Sequence, residues 1–444
     1  MTSERTPFIV VLLLFVVVAT APTASAQSAL SLAEAIRRAR TQNPDVGTAA
    51  ATEREAAERV TQARGGYFPR VEVAESWQRG DHPVFVFSSR LAQRQFSPAD
   101  FALDALNRPA ATNNFRATLS VEQPLFDRTT AAHVRAATIG LDMAATGRRL
   151  VSLDLASTVT EAFGRVLIAA GTVRSAAAAV ETARADRELA GNRRDAGRAT
   201  DADLLQLDVH LTRTLEQQVQ ATSDEHIARA RLNQLMGEPL TAAFSLDSAP
   251  PASTVDITNS AALEEEAVQN RPEVSLARHQ ERLAAATADA AQAAFLPQVS
   301  AQGAWELNGG TWNSRSSSWV VGATARITLF RGLADRARLA EAREQVTRRG
   351  IEKSKAETTV RLDVQITIAR LVAARASEAV GRAAVDSARA SHRIIRDRYE
   401  CGLADAAMLL RAAEAIQEAE ARQVTAFVNL ITATATLQRA TGRL

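Results

Sequence analysis

A single cysteine, Cys401, in 444 residues excludes an internal disulfide. Aromatic residues reach only 5% although apolar residues make up 46%. The chain is long enough for two or three ordinary domains, but the large side chains that fill compact cores are scarce. Proline is missing from 125–238 and from 298–444, so nothing there interrupts a helix. An excess of one charge is lacking too: 52 basic and 50 acidic side chains, spread evenly, leave a net +2. No basic face for nucleic acid stands out, and solvated helix surfaces account for these charges. The six histidines are scattered, and there is no HExxH pair, phosphate-binding loop, GxGxxG or GxSxG turn. One cysteine and four methionines offer little to a metal. Carboxylates four residues from arginine read as surface ion pairs. No enzyme and no cofactor is expected. What is abundant after residue 128 is alanine, with Arg, Leu, Glu and Gln, the bias of long helices packed along small-residue seams.

The N-terminus carries its own signal. Arg5 precedes an unbroken apolar run, Phe8 to Ala19, too short to span a bilayer comfortably, and Ala24-Ser25-Ala26 fits a small-x-small cleavage site. Residues 1–26 are expected to be a secretory leader, with the mature chain starting near Gln27. No cysteine at that point could accept a lipid. No later segment is expected to cross a membrane as a helix.

The chain repeats itself. Asn43-Pro44-Asp45-Val46 is echoed by Arg271-Pro272-Glu273-Val274, Phe68-Pro69-Arg70-Val71 by Leu296-Pro297-Gln298-Val299, and Trp77 by Trp305, all 228 residues apart. Phe115 with Trp319, and Leu125-Phe126 with Leu329-Phe330, are 204 apart, so the first copy holds 24 extra residues, placed in a loop. Gly197 and Gly402, Leu204-Leu205 and Leu409-Leu410, Leu232 and Leu437, and Gly237 and Gly442 are 205 apart. Each copy reads as a short helix, a helix, a strand, a loop, a strand, a very long helix and a returning helix. The copies are expected at 27–237 and 261–444, joined by a linker at 238–260 rich in Pro, Ser and Thr, with room for a short strand.

Period-two patterning marks the strands. Trp319, Val321, Ala323, Ala325 and Ile327 alternate with Val320, Gly322, Thr324, Arg326 and Thr328; Phe115 to Glu122 and Val299 to Leu307 behave alike. Val71 to Gln78 is weaker, because Glu75 falls on its apolar face. Segments of about ten residues with terminal aromatics match strands of a membrane barrel. Four strands cannot close such a barrel, and open edges are not tolerated in lipid, so copies of the chain must share one. Two chains would give eight strands and three would give twelve. A helix from about Asp127 to Asp195 would run roughly 100 Å. Runs such as Ser175-Ala-Ala-Ala-Ala-Val180 allow close, coiled-coil-like packing, suited to a hollow cylinder or a solid bundle.

Taken together, Leu32-Ala-Glu-Ala-Ile36 leading to Asn43-Pro44, the strand-entry Pro69 and Pro297, the exits Gln123-Pro-Leu-Phe126 and Thr328-Leu-Phe330, and the two Gly-centred turns resemble the TolC family of outer-membrane efflux and secretion channels. The match covers nearly all of the mature chain, in order and spacing. The resemblance implies a membrane α+β protein with two internal repeats. It would be a homotrimer sharing a 12-stranded β-barrel, four strands per chain, in outer-membrane lipid, continued by a long periplasmic α-helical barrel. It implies passive export, as in a tripartite efflux pump or type I secretion system, with a periplasmic adaptor and an inner-membrane transporter of the RND or ABC class. Gly197, Arg198, Gly402 and Leu403 are then the candidate adaptor-docking tips. Asp201, Asp203, Asp405, Met408 and Arg411 are the candidate periplasmic entrance. Asp203 matches an acidic family position, though a carboxylate favoured by a helix N-terminus reads equally well. Met408 and Arg411 stand where well-known members place gate aspartates, which departs from an acidic ring; Asp201 and Asp405 are left to substitute. The insertion, residues 81–114, should cap the barrel outside the cell, its aromatics packing the loop in preference to narrowing the mouth. The rival reading, a periplasmic coiled-coil adaptor or scaffold, explains the leader and helices but not four alternating strands.

Overall fold

Among the described residues, two long helical hairpins and one four-stranded sheet organise the chain. The computed structural model describes residues 29–246 and 256–444. The expected leader, 1–26, and the middle of the linker, 247–255, lie outside the described residues. The first copy runs α1 (Leu32–Gln42), α2 (Pro44–Arg64), β1 (Arg70–Gly80), α3 (Pro83–Ala92), α4 (Leu103–Asn107), β2 (Thr112–Phe126), α5 (Arg128–Asp195) and α6 (Asp201–Met236). The second runs α7 (Ser260–Asn270), α8 (Pro272–Ala293), β3 (Gln298–Thr311), β4 (Ser314–Arg326), α9 (Ala334–Glu400) and α10 (Ala406–Ala440). With α3 and α4 set aside the two orders coincide, so the repeat in sequence is a repeat in structure.

Local chemistry sets the boundaries. Asn43 ends α1 and starts α2: its side chain accepts from Asp45 N at 2.8 Å, and Pro44, which needs no donor, occupies the first turn. Its amide also donates to Leu235 O at 2.9 Å, docking the start of α2 on the end of α6. In the second copy Arg271 takes this place and cannot accept. It is instead 5% exposed, bonded to Glu273 at 2.6 Å and Asp363 at 2.8 Å, which fastens α8 to α9. Glu273 also meets Arg439 of α10 at 3.4 Å, and Arg439 pairs with Asp154 of α5.

Asp127 caps α5 by accepting from Thr129 N at 2.8 Å. The 68 residues that follow extend about 100 Å at ~1.5 Å each. From Val360 onward the buried positions of α9, Val360, Val364, Thr367, Leu371, Ala374, Gly381, Val385, His392 and Tyr399, recur at three, four or seven residues. That is a 3.5-residue period, the seam of a left-handed coiled coil. Small residues set the tightest approach: a Cβ on Gly164 of α5 would lie 2.6 Å from Val428 Cγ1 of α10. One stretch of α5 is long and apolar enough, by length and composition alone, to cross a membrane, which was not expected of any later segment. Several apolar residues of α5 have protein partners, however: Leu155, Val159, Ala162, Phe163 and Val166 form a core with Leu30, Ala35, Ala39, Leu232 and Met236. The described part of the linker contributes one parallel bridge, Leu30 to Leu246, with Leu30 N donating to Ser245 O at 2.7 Å.

The insertion is not the plain loop expected. It folds as α3, a 3₁₀ turn at Pro98–Phe101 and α4. Phe96 stands edge-on to Phe87 at 4.7 Å and to Phe101 at 5.0 Å, so the aromatics do pack the segment together.

Candidate functional site

The sheet is antiparallel in the order β1-β2-β3-β4, leaving β1 and β4 as open edges. Its register aligns one apolar face across all four strands: Val71, Val121, Gly303 and Val321 in one row, and Val73, Leu119, Trp305 and Trp319 in the next. Trp77 lies opposite Phe115, with Trp312 6.2 Å beyond it. Phe68, Phe126 and Phe330 are exposed at the helix end of the sheet. Nine residues separate Phe68 from Trp77. At ~3.3 Å per residue and a tilt of ~40° that is about 23 Å of height, which suits a lipid-facing band between aromatic girdles. The other face carries Glu72 and Ser120, then Thr118 and Glu306, with Arg116 paired to Glu306. Glu75, the misfit on the apolar face, is met by Arg315 Nη1 at 3.0 Å, and that guanidinium stacks on Trp312 at 4.1 Å. The partner lies 240 residues away in sequence, beyond the reach of local patterning.

At the far end of the helices both turns are built alike. Gly197 (φ +68°) and Gly402 (φ +78°) adopt the left-handed conformation that side chains resist. Arg198 N donates to Arg193 O at 2.7 Å and Gly197 N to Arg194 O at 2.9 Å; Leu403 N to Arg398 O at 2.8 Å and Gly402 N to Tyr399 O at 3.0 Å repeat the pattern. Arg198 is exposed, and Leu403 is 76% exposed at the apex. The carboxylates divide by role. Asp203 closes a capping box with Thr200; the bond from Thr200 N, then its hydroxyl, and the charge of Arg193 hold the carboxyl below its usual range despite some burial. Asp405 caps α10 by accepting from Met408 N at 2.7 Å. Asp201 is exposed, 3.8 Å from Arg194. Met408 and Arg411 are exposed on α10.

The two turns meet through residues the sequence reading passed over. Arg193 lies 4.5 Å over the Tyr399 ring and donates to Arg198 O at 3.2 Å. Burial, with the charges of Asp203 and Asp186, pushes the Tyr399 phenol up against the pull of Arg193. Further from the turns, Asp186 of α5 (2% exposed) faces His392 of α9 (7%) at 3.9 Å, and neither Asp186 Oδ1 nor His392 Nε2 has a hydrogen-bond partner. His210 of α6 stands nearby. Burial pushes its imidazole below 6.5, Glu414 and Asp186 pull the other way, and Arg213 adds to the burial. Counting sevens from Val385 lands on His392 and Tyr399, so these two polar core positions were there to be found.

A protein with a lipid-type band on a four-stranded sheet and a 100 Å helical extension is of the outer-membrane channel class. The profile of the outer membrane efflux protein family matches residues 35–238 and 263–443, and the chain belongs to that family. It is 29% identical over 437 residues, 95% of this chain and 86% of the relative, to Protein CyaE of Bordetella pertussis. It is 26% identical over 235 residues to the alkaline protease secretion protein AprF of Pseudomonas aeruginosa, covering 50% of this chain and about half of that one (47%). The crystal structure of the outer membrane protein VceC from Vibrio cholerae superposes with a TM-score of 0.75 at 18% identity, over 93% of this chain and 96% of that one. The protein is an outer-membrane exit channel whose helices extend into the periplasm.

Proposed function

We propose that three copies of this chain close one twelve-stranded barrel. The duct they form would passively conduct cargo handed over by an inner-membrane transporter through a periplasmic adaptor. The observation that carries this reading is the pair of unpaired edges, β1 and β4, on a sheet whose apolar face is continuous to both margins. In lipid each edge must find a strand, and β4 of one copy against β1 of the next closes the ring. In this reading residues 1–26 are removed on export, 27–237 and 261–444 are the two repeats, and 238–260 link them. The helix turns at Gly197, Arg198, Gly402 and Leu403 receive the adaptor, the exposed Leu403 supplying apolar contact. Asp201, Asp203, Asp405, Met408 and Arg411 surround the entrance, which is mixed in charge because Arg411 stands among the carboxylates, two of which, Asp203 and Asp405, are engaged as caps.

The likeness to a protease secretion protein favours a polypeptide cargo and a transporter of the ABC class over small-molecule efflux through an RND partner. The test is the mass and location of the protein extracted from fractionated membranes in mild detergent. An outer-membrane species of three chains is the expected result. A species soluble without detergent, or a monomer, would overturn the proposal and leave the periplasmic scaffold.

A further inference from the structure

The inserted helix α3 does not stand above the sheet; it is hooked onto the sheet's polar face. Gln93, at its C-terminal end, donates to Asn113 O at 2.8 Å and to Asn114 Oδ1 at 3.0 Å, and Asn114 in turn donates to Asn308 Oδ1 at 3.0 Å. Ser316 Oγ donates to Gln93 O at 2.8 Å, and Arg94 Nη2 to Ser317 O at 3.0 Å. Asn114, Asn308 and Ser316 share the face of Arg116, opposite Phe115 and Trp77. Since the tryptophan face is the one suited to lipid, the amide hook lies on the water side. Val86 and Ser89, on one stripe of α3, are buried, as is Gln93 at its C-cap, and the helix contacts β2, β3 and β4. Arg94, just past the helix, is held at φ +55°, where glycine is usual, so the turn that seats the hook is fixed against a local cost.

The opposite stripe exposes two apolar side chains with Ser88 between them. Val84 is 71% exposed and Leu91, seven residues on, 50%. Seated on the inner wall, this stripe points toward the barrel axis, where the same stripe of the other copies must also point. Size settles what meets it. Twelve strands ~4.8 Å apart and tilted ~40° enclose a ring about 24 Å across between backbones. The wall's own inward side chains narrow that ring further, and three helices ~10 Å wide need a circle of about 22 Å side by side, so at the mouth they cannot avoid one another.

Resting on the shared-barrel reading above, we propose that the α3 helices of three copies meet at the axis through Val84 and Leu91 and narrow the outer mouth. The insertion is thereby an exit constriction that limits what passes outward and what enters from the medium. Its occupant is a second copy of this chain, held in place by the Gln93–Asn114–Asn308 hook.

The test uses the full-length channel carrying Cys401→Ser, with one reporter cysteine, Ser120→Cys, on the lumen face below the hook. Intact cells are treated with a membrane-impermeant maleimide of about 1 kDa. With the insertion present, labelling of the reporter is expected to be at least ten-fold slower than after residues 83–110 are replaced by a short Gly-Ser link. Gln93→Ala, which keeps the insertion but removes the hook, is expected to fall between, and serves alone if the deletion fails to assemble. Equal rates in all variants, in a protein extracted as an outer-membrane trimer, overturn the constriction while leaving the channel reading intact. Absence of the trimer from wild-type membranes sinks both.

Discussion

Two glycines in apparently similar helical surroundings answer opposite demands. Gly402 sits at φ +78° where the backbone must reverse, and an added Cβ there is strained whatever the space around it. Gly191 lies inside α5 with nothing within 4 Å of an added Cβ, so it only loosens the unfolded chain and the helix. Gly402→Ala is expected to cost about 1 kcal/mol, and Gly191→Ala to stabilise by about 0.5–1 kcal/mol. Thermal melts of the detergent-solubilised protein, followed by circular dichroism, should place the variant melting points on either side of the wild type. The reversal points were legible because Gly197 and Gly402 recur in one register, 205 residues apart. The functions of the carboxylates around them were only partly so: Asp203 read equally well as a carboxylate favoured by a helix N-terminus, while nothing set Asp405 apart from Asp201. Asp203 and Asp405 carry the same side chain as Asp201, and only the hydrogen bonds from Thr200 N and Met408 N separate capping groups from one that meets Arg194 alone.

Helices were read with more success than their contacts. The absence of proline and the density of alanine gave α5 and its end at Asp195, and alternation gave strands whose ends moved by only a few residues; β4 stops at Arg326, short of the expected Thr328. What stayed hidden was chemistry between distant segments: Arg315 beneath Glu75, and Arg271 between Glu273 and Asp363, join residues whose pairing no local pattern records. Removing Arg271 by Arg271→Ala leaves two carboxylates facing a buried gap. A loss of roughly 2 kcal/mol is expected, less than for a fully buried pair because both carboxylates keep part of their exposure. The same cluster sets an acid limit. Burial alone would raise Glu273, but the bonds from Arg271, with Arg439 beyond, outweigh it and hold the carboxyl below 4.5. Its contribution is therefore complete above pH 4.5 and lost as pH falls through the lower folded value. His210 acts earlier on the same titration. Its folded pKa lies below 6.5, so the stability linked to the neutral ring is present above 6.5 and declines as pH drops beneath it. Melting points measured from pH 8 down to below the folded value of Glu273 should fall in two stages, and His210→Gln should remove the upper one. A single fall confined to the carboxylate range would contradict the role given to His210.

The barrel reading assigns every strand residue to lipid or water, and that assignment can be broken one side chain at a time. Parity along the sequence already gave the two faces, and the register now shows that they stay continuous across strands from both repeats, which patterning within one strand could not establish. Val73 lies in the row of Leu119, Trp305 and Trp319, midway between the aromatic ends, while the adjacent Glu72 and its partner Ser120 belong to the opposite face. An arginine on the lipid face near the bilayer midplane costs about 2–4 kcal/mol, and a shared barrel multiplies the cost because each copy carries the change. Val73→Arg should therefore lose the outer-membrane trimer, whereas Ser120→Arg, which places the same charge beside Glu72 in water, should keep it. The contrast separates the barrel from a soluble scaffold. In a scaffold both faces of the sheet would meet water or partner protein, and Val73→Arg would add a charge to a side chain already exposed. Heat-modifiability on gels and recovery in the outer-membrane fraction would read the result, and equal trimer yields from the two variants would remove the lipid face, and with it the barrel.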